Sequence, residues 1–426
     1  MANNPASEKL NEVEKAYRVL DSWGIGCLVA NNAGTYFFNG EYWRCMADQE
    51  LRVMILETLD ELDLKFNLIL VKNILQIVKD RAFKNNLQLN LGDKNIVSFT
   101  NGDVQLEDGT WNLDRSLREN YRITRLPIKY DPNAKAPAFC KFLSSIFRDD
   151  EDCAQKIKLV LQMIGYSMQT HAKYEYFLIL VGSGANGKSV LLNTIRNVLG
   201  SENTAAVQPN YFDSSFHLAT LQHKLANIIT ESEQGARLPT AKVKAIVSGE
   251  QMTVDQKYGQ PFDMEPYATM LWATNHLPNA RDYSEALFRR ARIIEFNRSF
   301  RQDEQDVHLT KKLEAEAPGI AKLALDHYAE AVQKGFTFPD SAKRANKTWR
   351  TESDSVSCWA EEHLYDYKGH NLKASDAYSS YKIWCENSGH QNVSSTMFGR
   401  RMTTHGHKKR KLAGYNAYLN KAIKDD

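Results

Sequence analysis

Tyr176-Phe-Leu-Ile-Leu-Val-Gly-Ser-Gly-Ala-Asn-Gly-Lys-Ser-Val-Leu-Leu-Asn-Thr-Ile195 reads as a buried strand, a glycine-rich turn and a helix in immediate succession. The apolar run before the turn has no alternation, the pattern of a parallel strand covered on both faces. The turn, Gly182-Ser183-Gly184-Ala185-Asn186-Gly187-Lys188-Ser189 leading into Val190, has the Gly-x-x-x-x-Gly-Lys-Ser spacing of a P-loop, or Walker A element. Small residues there let successive backbone N–H groups converge on a phosphate at a helix N-terminus. Lys188, expected as an exposed loop lysine, is placed to reach the β- and γ-phosphates. Ser189 is placed to put its hydroxyl on a metal, so the expected ligands are ATP and Mg²⁺.

Downstream, Leu225-Ala-Asn-Ile-Ile-Thr-Glu231-Ser-Glu233 is an apolar strand ending in acid, as a Walker B element requires. Glu231 is expected to hold the Mg²⁺ shell or orient the attacking water, with Glu233 as second candidate. A helix then ends at Gly249, and two short strands flank Lys257-Tyr258-Gly259, which places these residues at a hairpin tip. The next strand, from Ala268, ends in Thr274-Asn275, and Asn275 there can sense the γ-phosphate and the lytic water. The run from Ala286 to Phe296 delivers Arg289 and Arg290 to the start of another strand. An arginine reaching a neighbouring subunit's γ-phosphate stabilises charge in the transition state. The alternative is that Arg290 pairs within its own subunit, with an acid such as Glu285.

Upstream, Gly34 to Arg44 sets aromatic strands around an Asn39-Gly40 turn, and two amphipathic helices follow near 51–59 and 66–78. Their aromatic hairpin reads as core before it reads as a base-stacking surface. Short strands punctuated by Asn101-Gly102 and Asp108-Gly109 run to a proline-bounded boundary at 130–137, and two helices fill 138–167. Beyond a helical stretch over 301–335, residues 346–426 read as three helices and a two-stranded hairpin at Gly414-Tyr-Asn-Ala-Tyr418, a winged-helix pattern.

The apolar and charged shares, 42% and 25%, belong to a soluble globular chain, and 426 residues suggest several domains. A net charge of +2 means that any nucleic-acid surface is local, such as the Lys408-Lys-Arg-Lys411 run. The six cysteines have neither disulfide-frame nor zinc-ligand spacing. No apolar run is long enough for a membrane span, and the N-terminus lacks a signal-peptide core. The expected location is therefore cytoplasmic.

Taken together, Gly182 to Ser189, Glu231, the block Val254-Asp255-Gln256-Lys257, Thr274-Asn275 and Arg289-Arg290 resemble, in that order, the superfamily 3 helicases of small DNA viruses, phages and poxviruses. The phrases Tyr130-Asp-Pro to Ala-Pro137 and Leu161-Gln-Met-Ile-Gly-Tyr166 resemble the helical region preceding the helicase in poxvirus and phage primase-helicases. The resemblance implies an α/β fold of AAA+ type with a central parallel sheet. An α+β N-terminal domain (1–130) and a helical collar (131–172) precede the ATPase core (173–300). A helical extension (301–345) and a winged-helix-like domain (346–426) follow it. The resemblance also implies a hexameric ring that hydrolyses ATP at subunit interfaces and moves along single-stranded DNA, 3′ to 5′. In it Glu231 is the Walker B carboxylate, Asn275 the sensor, and Arg290 or Arg289 the finger in trans. Lys257 matches the channel-hairpin lysine, with Tyr258 beside it. At Gly259 parvovirus members carry a second basic residue, so this chain presents one per subunit. No primase constellation is visible, since Asp60, Glu61 and Asp63 follow a helical pattern. A primase or other replisome protein is therefore expected as a partner.

Two other readings share some of these motifs. A nucleotide-dependent switch or assembly factor needs the P-loop but neither a channel hairpin nor a trans arginine. A duplex-DNA translocase shares every motif.

Overall fold

The computed structural model describes residues 10–31, 34–85, 87, 89–90, 95–114, 118–231, 237–255, 260–280, 285–388, 390, 392–412 and 414–424. Helix α1 (Glu12–Trp23) begins at Asn11, whose side chain accepts from the Glu14 N–H while the Glu14 carboxylate accepts from the Asn11 N–H. That reciprocal pair satisfies two of the donors that a helix start leaves open. Strands β1 (Leu28–Asn31), β2 (Gly34–Phe38) and β3 (Trp43–Met46) form an antiparallel sheet, covered by α2 (Asp48–Glu61) and α3 (Leu68–Ala82). Phe38 pairs with Trp43, so the connection is four residues long rather than a two-residue Asn-Gly turn. The Asn39 side chain makes it so, accepting from the N–H groups of both Glu41 and Tyr42. Tyr36 and Trp43 are buried, consistent with a core role.

A second antiparallel sheet, β4 (Ile96–Phe99), β5 (Gly102–Glu107) and β6 (Thr110–Asp114), precedes α4 (Pro137–Ile146) and α5 (Cys153–Tyr166). The chain then enters β7 (Phe177–Val181) and passes through α6 (Lys188–Leu199), β8 (Thr204–Ala205), α7 (Ser215–Leu218), β9 (Ala226–Ile229) and β10 (Arg237–Leu238). Helix α8 (Thr240–Ser248) and the hairpin strands β11 (Met252–Val254) and β12 (Phe262–Met264) come next. After them come β13 (Thr269–Thr274), β14 (Asn279–Ala280), α9 (Glu285–Arg290) and β15 (Ala291–Glu295). Five strands make one parallel sheet in the order β15-β7-β13-β9-β8.

Both faces of this sheet are covered, which explains the unbroken apolar runs in the sequence. Leu178, Leu180, Leu271 and Ile228 point into one cluster with α5 and α6; Phe177, Ile179, Trp272 and Ile293 point into the other, with α8. Each such side chain contributes about 1.5–3 kcal/mol of burial.

Helices α10 (Leu309–Ala315) and α11 (Ala317–Lys334) share the α5–α6 core rather than standing apart from it. Trp111 of β6 donates to the Leu325 carbonyl of α11. Glu316 accepts from the N–H groups of Ala138 and Phe139, capping α4 where Ala136 has no side chain to do so. Helix α12 (Asp340–Glu352) seals the other face, with Trp349 against Phe288.

The last unit has the order α13 (Ser355–His363), β16 (Leu364–Lys373), α14 (Ala374–Ser388), α15 (Ser395–Thr404), β17 (Lys409–Leu412) and β18 (Tyr415–Ile423). The expected three helices are present, but the sheet has three strands, β16-β18-β17. Strand β16 escaped the sequence reading because seven consecutive residues, 365–371, are exposed and its register shifts around Asn371, so no alternation survives. Under the sheet, Asp354 is wholly buried and caps α13; its carboxylate lies 2.9 Å from an Arg401 nitrogen and 2.5 Å from Nε2 of His405. Among the described residues no helix is long and apolar enough to cross a membrane, and the six cysteines are free thiols.

Candidate nucleotide site and its surroundings

The loop between β7 and α6 is built by its glycines and its packing. Gly187 sits at φ +90°, and a Cβ there would meet Ile146 and Phe142 of α4 at 3.0 and 3.2 Å. At Gly182 a Cβ would lie 2.3 Å from the Asn186 amide nitrogen and 2.8 Å from the Phe296 carbonyl oxygen. The chain after β15 clamps the loop from outside: Phe300 N–H donates to the Ala185 carbonyl, and Ser299 Oγ to that of Gly184. Nothing in the motif announces this clamp.

None of the backbone N–H groups from Ser183 to Val190 donates a hydrogen bond within the described residues. Three of them are the open donors of α6, at the positive end of its dipole. Lys188 is not the exposed loop residue expected: it is 6% exposed, and its ammonium donates to the Gly182 carbonyl (2.6 Å) and to Asn186 Oδ1 (3.0 Å). Burial pushes its pKa below the ordinary lysine value. The Asn186 side chain is buried, and its Nδ2 has no partner among the described residues. Ser189 is exposed at the first turn of α6. Unpaired donors, a buried ammonium and an accessible hydroxyl fit a Mg²⁺-bound polyphosphate.

Register brings the other candidates to the same edge. Thr274 pairs with Val181 and its carbonyl accepts from the Gly182 N–H, so Asn275 follows directly beside the loop. Trp272 pairs with Ile229, which sets Glu231 level with Thr274 on the next strand. Adjacent strands lie about 4.8 Å apart, so loop, Asn275 and Glu231 occupy neighbouring positions at the carboxyl edge. Glu231 and Asn275 are both exposed. Glu233 lies outside the described residues.

Arg289 and Arg290 stand at the opposite edge. Ala291 pairs with Phe177, the first residue of β7, whereas the glycine loop follows Val181, the last. At about 3.3 Å per residue the length of β7 separates both arginines from their own loop. Arg289 is exposed. Arg290 is held within its own chain, not by Glu285 but by Glu175 (2.5 Å), with Ser248 Oγ and the Ala286 carbonyl as further partners. Neither Glu175 nor Ser248 carries a motif; only the fold brings them there.

The antiparallel pair β11–β12 is the expected hairpin, with Val254 opposite Phe262; its tip, including Lys257 and Tyr258, lies outside the described residues. In the last unit, residues 387–424 carry eight Lys or Arg and no Asp or Glu, although the whole chain has 54 bases and 52 acids. Arg400 on α15 and Lys408 to Arg410 at the start of β17 are exposed together on that unit.

Residues 180–290 match a family of unknown function (DUF5906), and residues 351–426 match the family described as Poxvirus D5 protein-like. The chain is 21% identical over 337 residues to the protein named "Putative helicase L207/L206" of Acanthamoeba polyphaga mimivirus, an alignment covering 72% of this chain and 34% of that protein. It is 22% identical over 335 residues to "Putative helicase 121R" of Invertebrate iridescent virus 3, covering 69% and 35%. The chain thus spans about a third of the length of these relatives. In fold it matches the A form apo structure of the NrS-1 C terminal region, with a TM-score of 0.54 at 15% identity over 95% of this chain and 98% of that one. A second structure of that region, 305–718, gives 0.54 at 13% identity over 96% and 100%. The chain therefore resembles the superfamily 3 helicases, and among them the helicase part of phage and poxvirus primase-helicases.

Proposed function

We propose that this chain is the ATPase motor of a viral, phage or mobile-element DNA helicase, an AAA+ ring that moves along single-stranded DNA. The observation that carries the reading is the run of unpaired N–H groups from Ser183 to Val190 at the edge where Glu231 and Asn275 emerge from adjacent strands. In this reading Gly182 to Val190 cradle the ATP phosphates, and Lys188 exchanges its contacts with Gly182 and Asn186 for phosphate oxygens. Ser189 and Glu231 hold Mg²⁺, which when bound neutralises charge developing on the transferred phosphoryl group. Glu231, with Glu233 in support, orients water, and Asn275 senses the γ-phosphate.

The arginines face away from their own loop, which supports action on a neighbour's site and hence a homo-oligomer, here a hexamer. Exposure favours Arg289 for that role. Lys257 and Tyr258 contact the strand at the hairpin tip. The helix-strand-helix-helix-strand-strand order of the last unit supports a winged helix, and its acid-free basic tract supports contact with duplex DNA. A primase is supplied by another chain or another segment.

The test is ATP hydrolysis with and without single-stranded DNA, followed by strand displacement on a forked substrate. Stimulated hydrolysis with displacement is expected. Hydrolysis indifferent to DNA indicates a switch, and stimulation without displacement indicates a duplex translocase.

A further inference from the structure

Four segments meet at the amino edge of the central sheet. The turn Ala172–Glu175 leads into β7, and α8 ends at Ser248–Gly249 immediately before β11. Pro266 follows β12, and Arg290 ends α9. Gly249 packs so closely that a Cβ there would lie 2.9 Å from Ala172 Cβ and 3.3 Å from the Pro266 carbonyl oxygen. Arg290 fastens the same point from the other side: one nitrogen reaches both Glu175 (2.5 Å) and Ser248 Oγ (3.0 Å), while the other donates to its own helix at Ala286. Glu175 holds φ at +56°, a conformation L side chains rarely adopt. The α8 root of the β11–β12 hairpin is therefore tied through Arg290 to Glu175, two places before β7, the Pro266 root packs against that same point at Gly249, and β7 runs straight into the glycine loop.

We propose that the Arg290–Glu175–Ser248 cluster is a mechanical joint that transmits the state of the glycine loop, through β7, to the β11–β12 hairpin. Arg290 is then a positioning residue, distinct from the exposed Arg289. The proposal rests on the reading of the loop as a nucleotide site and of the hairpin as a strand-contacting element. Strand β7 is buried on both faces and hydrogen-bonded on both sides, so it moves as a rigid rod. A shift at the Gly182 end therefore appears at Glu175, and the charged bridge passes it to α8 and the hairpin roots.

The test uses the full chain and the Glu175→Gln variant, with hydrogen exchange over residues 249–266 as the first readout. With the joint cut, exchange in β11 and β12 is expected to rise about threefold or more without nucleotide, because the hairpin loses an anchor to the core. In the second readout, basal ATP hydrolysis stays near wild type while stimulation by a poly-dT oligonucleotide falls about fivefold or more. The exchanged pair Glu175→Arg with Arg290→Glu is expected to recover most of the protection. Ser248→Ala reads the same joint if Glu175→Gln fails to fold. Unchanged exchange, or faster exchange with wild-type stimulation, overturns the joint. A wild-type chain without ATP hydrolysis sinks the nucleotide reading instead, and the exchange measurement still decides whether the hairpin is anchored here.

Discussion

The Lys188 ammonium lies 2.6 Å from the carbonyl oxygen of Gly182, six residues upstream, so the lysine closes the glycine loop on itself. Lys188→Ala is expected to reduce ATP turnover by roughly 10²-fold or more, by removing a charge aimed at the phosphates. Because Lys188 is buried, the change also strands the Gly182 carbonyl and costs about 1–3 kcal/mol of stability. A folded variant with a lowered melting temperature and wild-type turnover would remove this lysine from the chemistry.

Lys257→Ala tests the hairpin tip. If one lysine per subunit tracks the strand, its replacement lowers the magnitude of the salt slope of single-strand binding by about 0.7 for each phosphate it no longer neutralises. Basal hydrolysis is expected to persist. An unchanged slope together with unchanged unwinding would put the tip in solvent.

Much of the central sheet was legible because its strands are short apolar runs ending in chemistry-bearing residues, so the strands that end at Val181, Ile229 and Thr274 stand out in the sequence, though their order in the sheet does not. The hairpin at Asn39 was an equally local signal, although its connection is four residues long and not two. What stayed hidden depends on contacts distant in sequence. Glu316 caps α4 from 178 residues away, and Glu175 meets Arg290 only because β7 and β15 start level with each other. Strand β16 was missed for the opposite reason: its exposure erases the pattern that marks a strand. The burial of Lys188 was invisible because the motif specifies spacing, while the folded-back side chain depends on the loop's own carbonyl.

Asp354 sets the acid limit of the last unit. Burial opposes its charge, but the His405 hydrogen bond and the Arg401 charge outweigh burial and hold its carboxyl below the ordinary aspartate value. A depressed folded pKa contributes stability above the unfolded value, lost as pH falls through the folded one. Residues 354–424 are therefore expected to loosen below about pH 4, the ordinary aspartate value. Asp354→Ala is expected to cost about 3 kcal/mol at neutral pH by breaking a buried charge cluster. Hydrogen exchange in α13 and β18 reads both; a variant as protected as wild type would make the cluster incidental.

Replacing Lys409, Arg410 and Lys411 by alanine tests the basic tract. Duplex-DNA binding by the full chain is expected to weaken, and its salt slope to shrink by about 0.9 for each phosphate left unneutralised. Hydrolysis without DNA should not change, since β17 pairs with β18, whose Tyr418 lies in a core separate from the parallel sheet. Duplex binding identical to wild type would leave the tract a solvated edge.

The remaining prediction concerns assembly. Arg289 and Arg290 are separated from their own loop by the length of β7, so in the proposed ring their role in phosphoryl transfer is exercised on a neighbouring subunit. Arg289→Ala subunits are expected to bind ATP and hydrolyse it poorly, because the guanidinium is needed where charge develops and less in the ground state. Lys188→Ala subunits fail for the complementary reason: they keep the arginine and lose the phosphate lysine. When the two are mixed, some interfaces join an intact loop to an intact arginine, and hydrolysis should rise above that of either protein alone, with a maximum at intermediate ratios. A mixture inactive at every ratio excludes a trans arginine at position 289. Recovery with Arg290→Ala in its place, and none with Arg289→Ala, keeps the trans mechanism but requires Arg290 to leave Glu175 and Ser248 during turnover, which disconnects the hairpin roots from β7 at that moment.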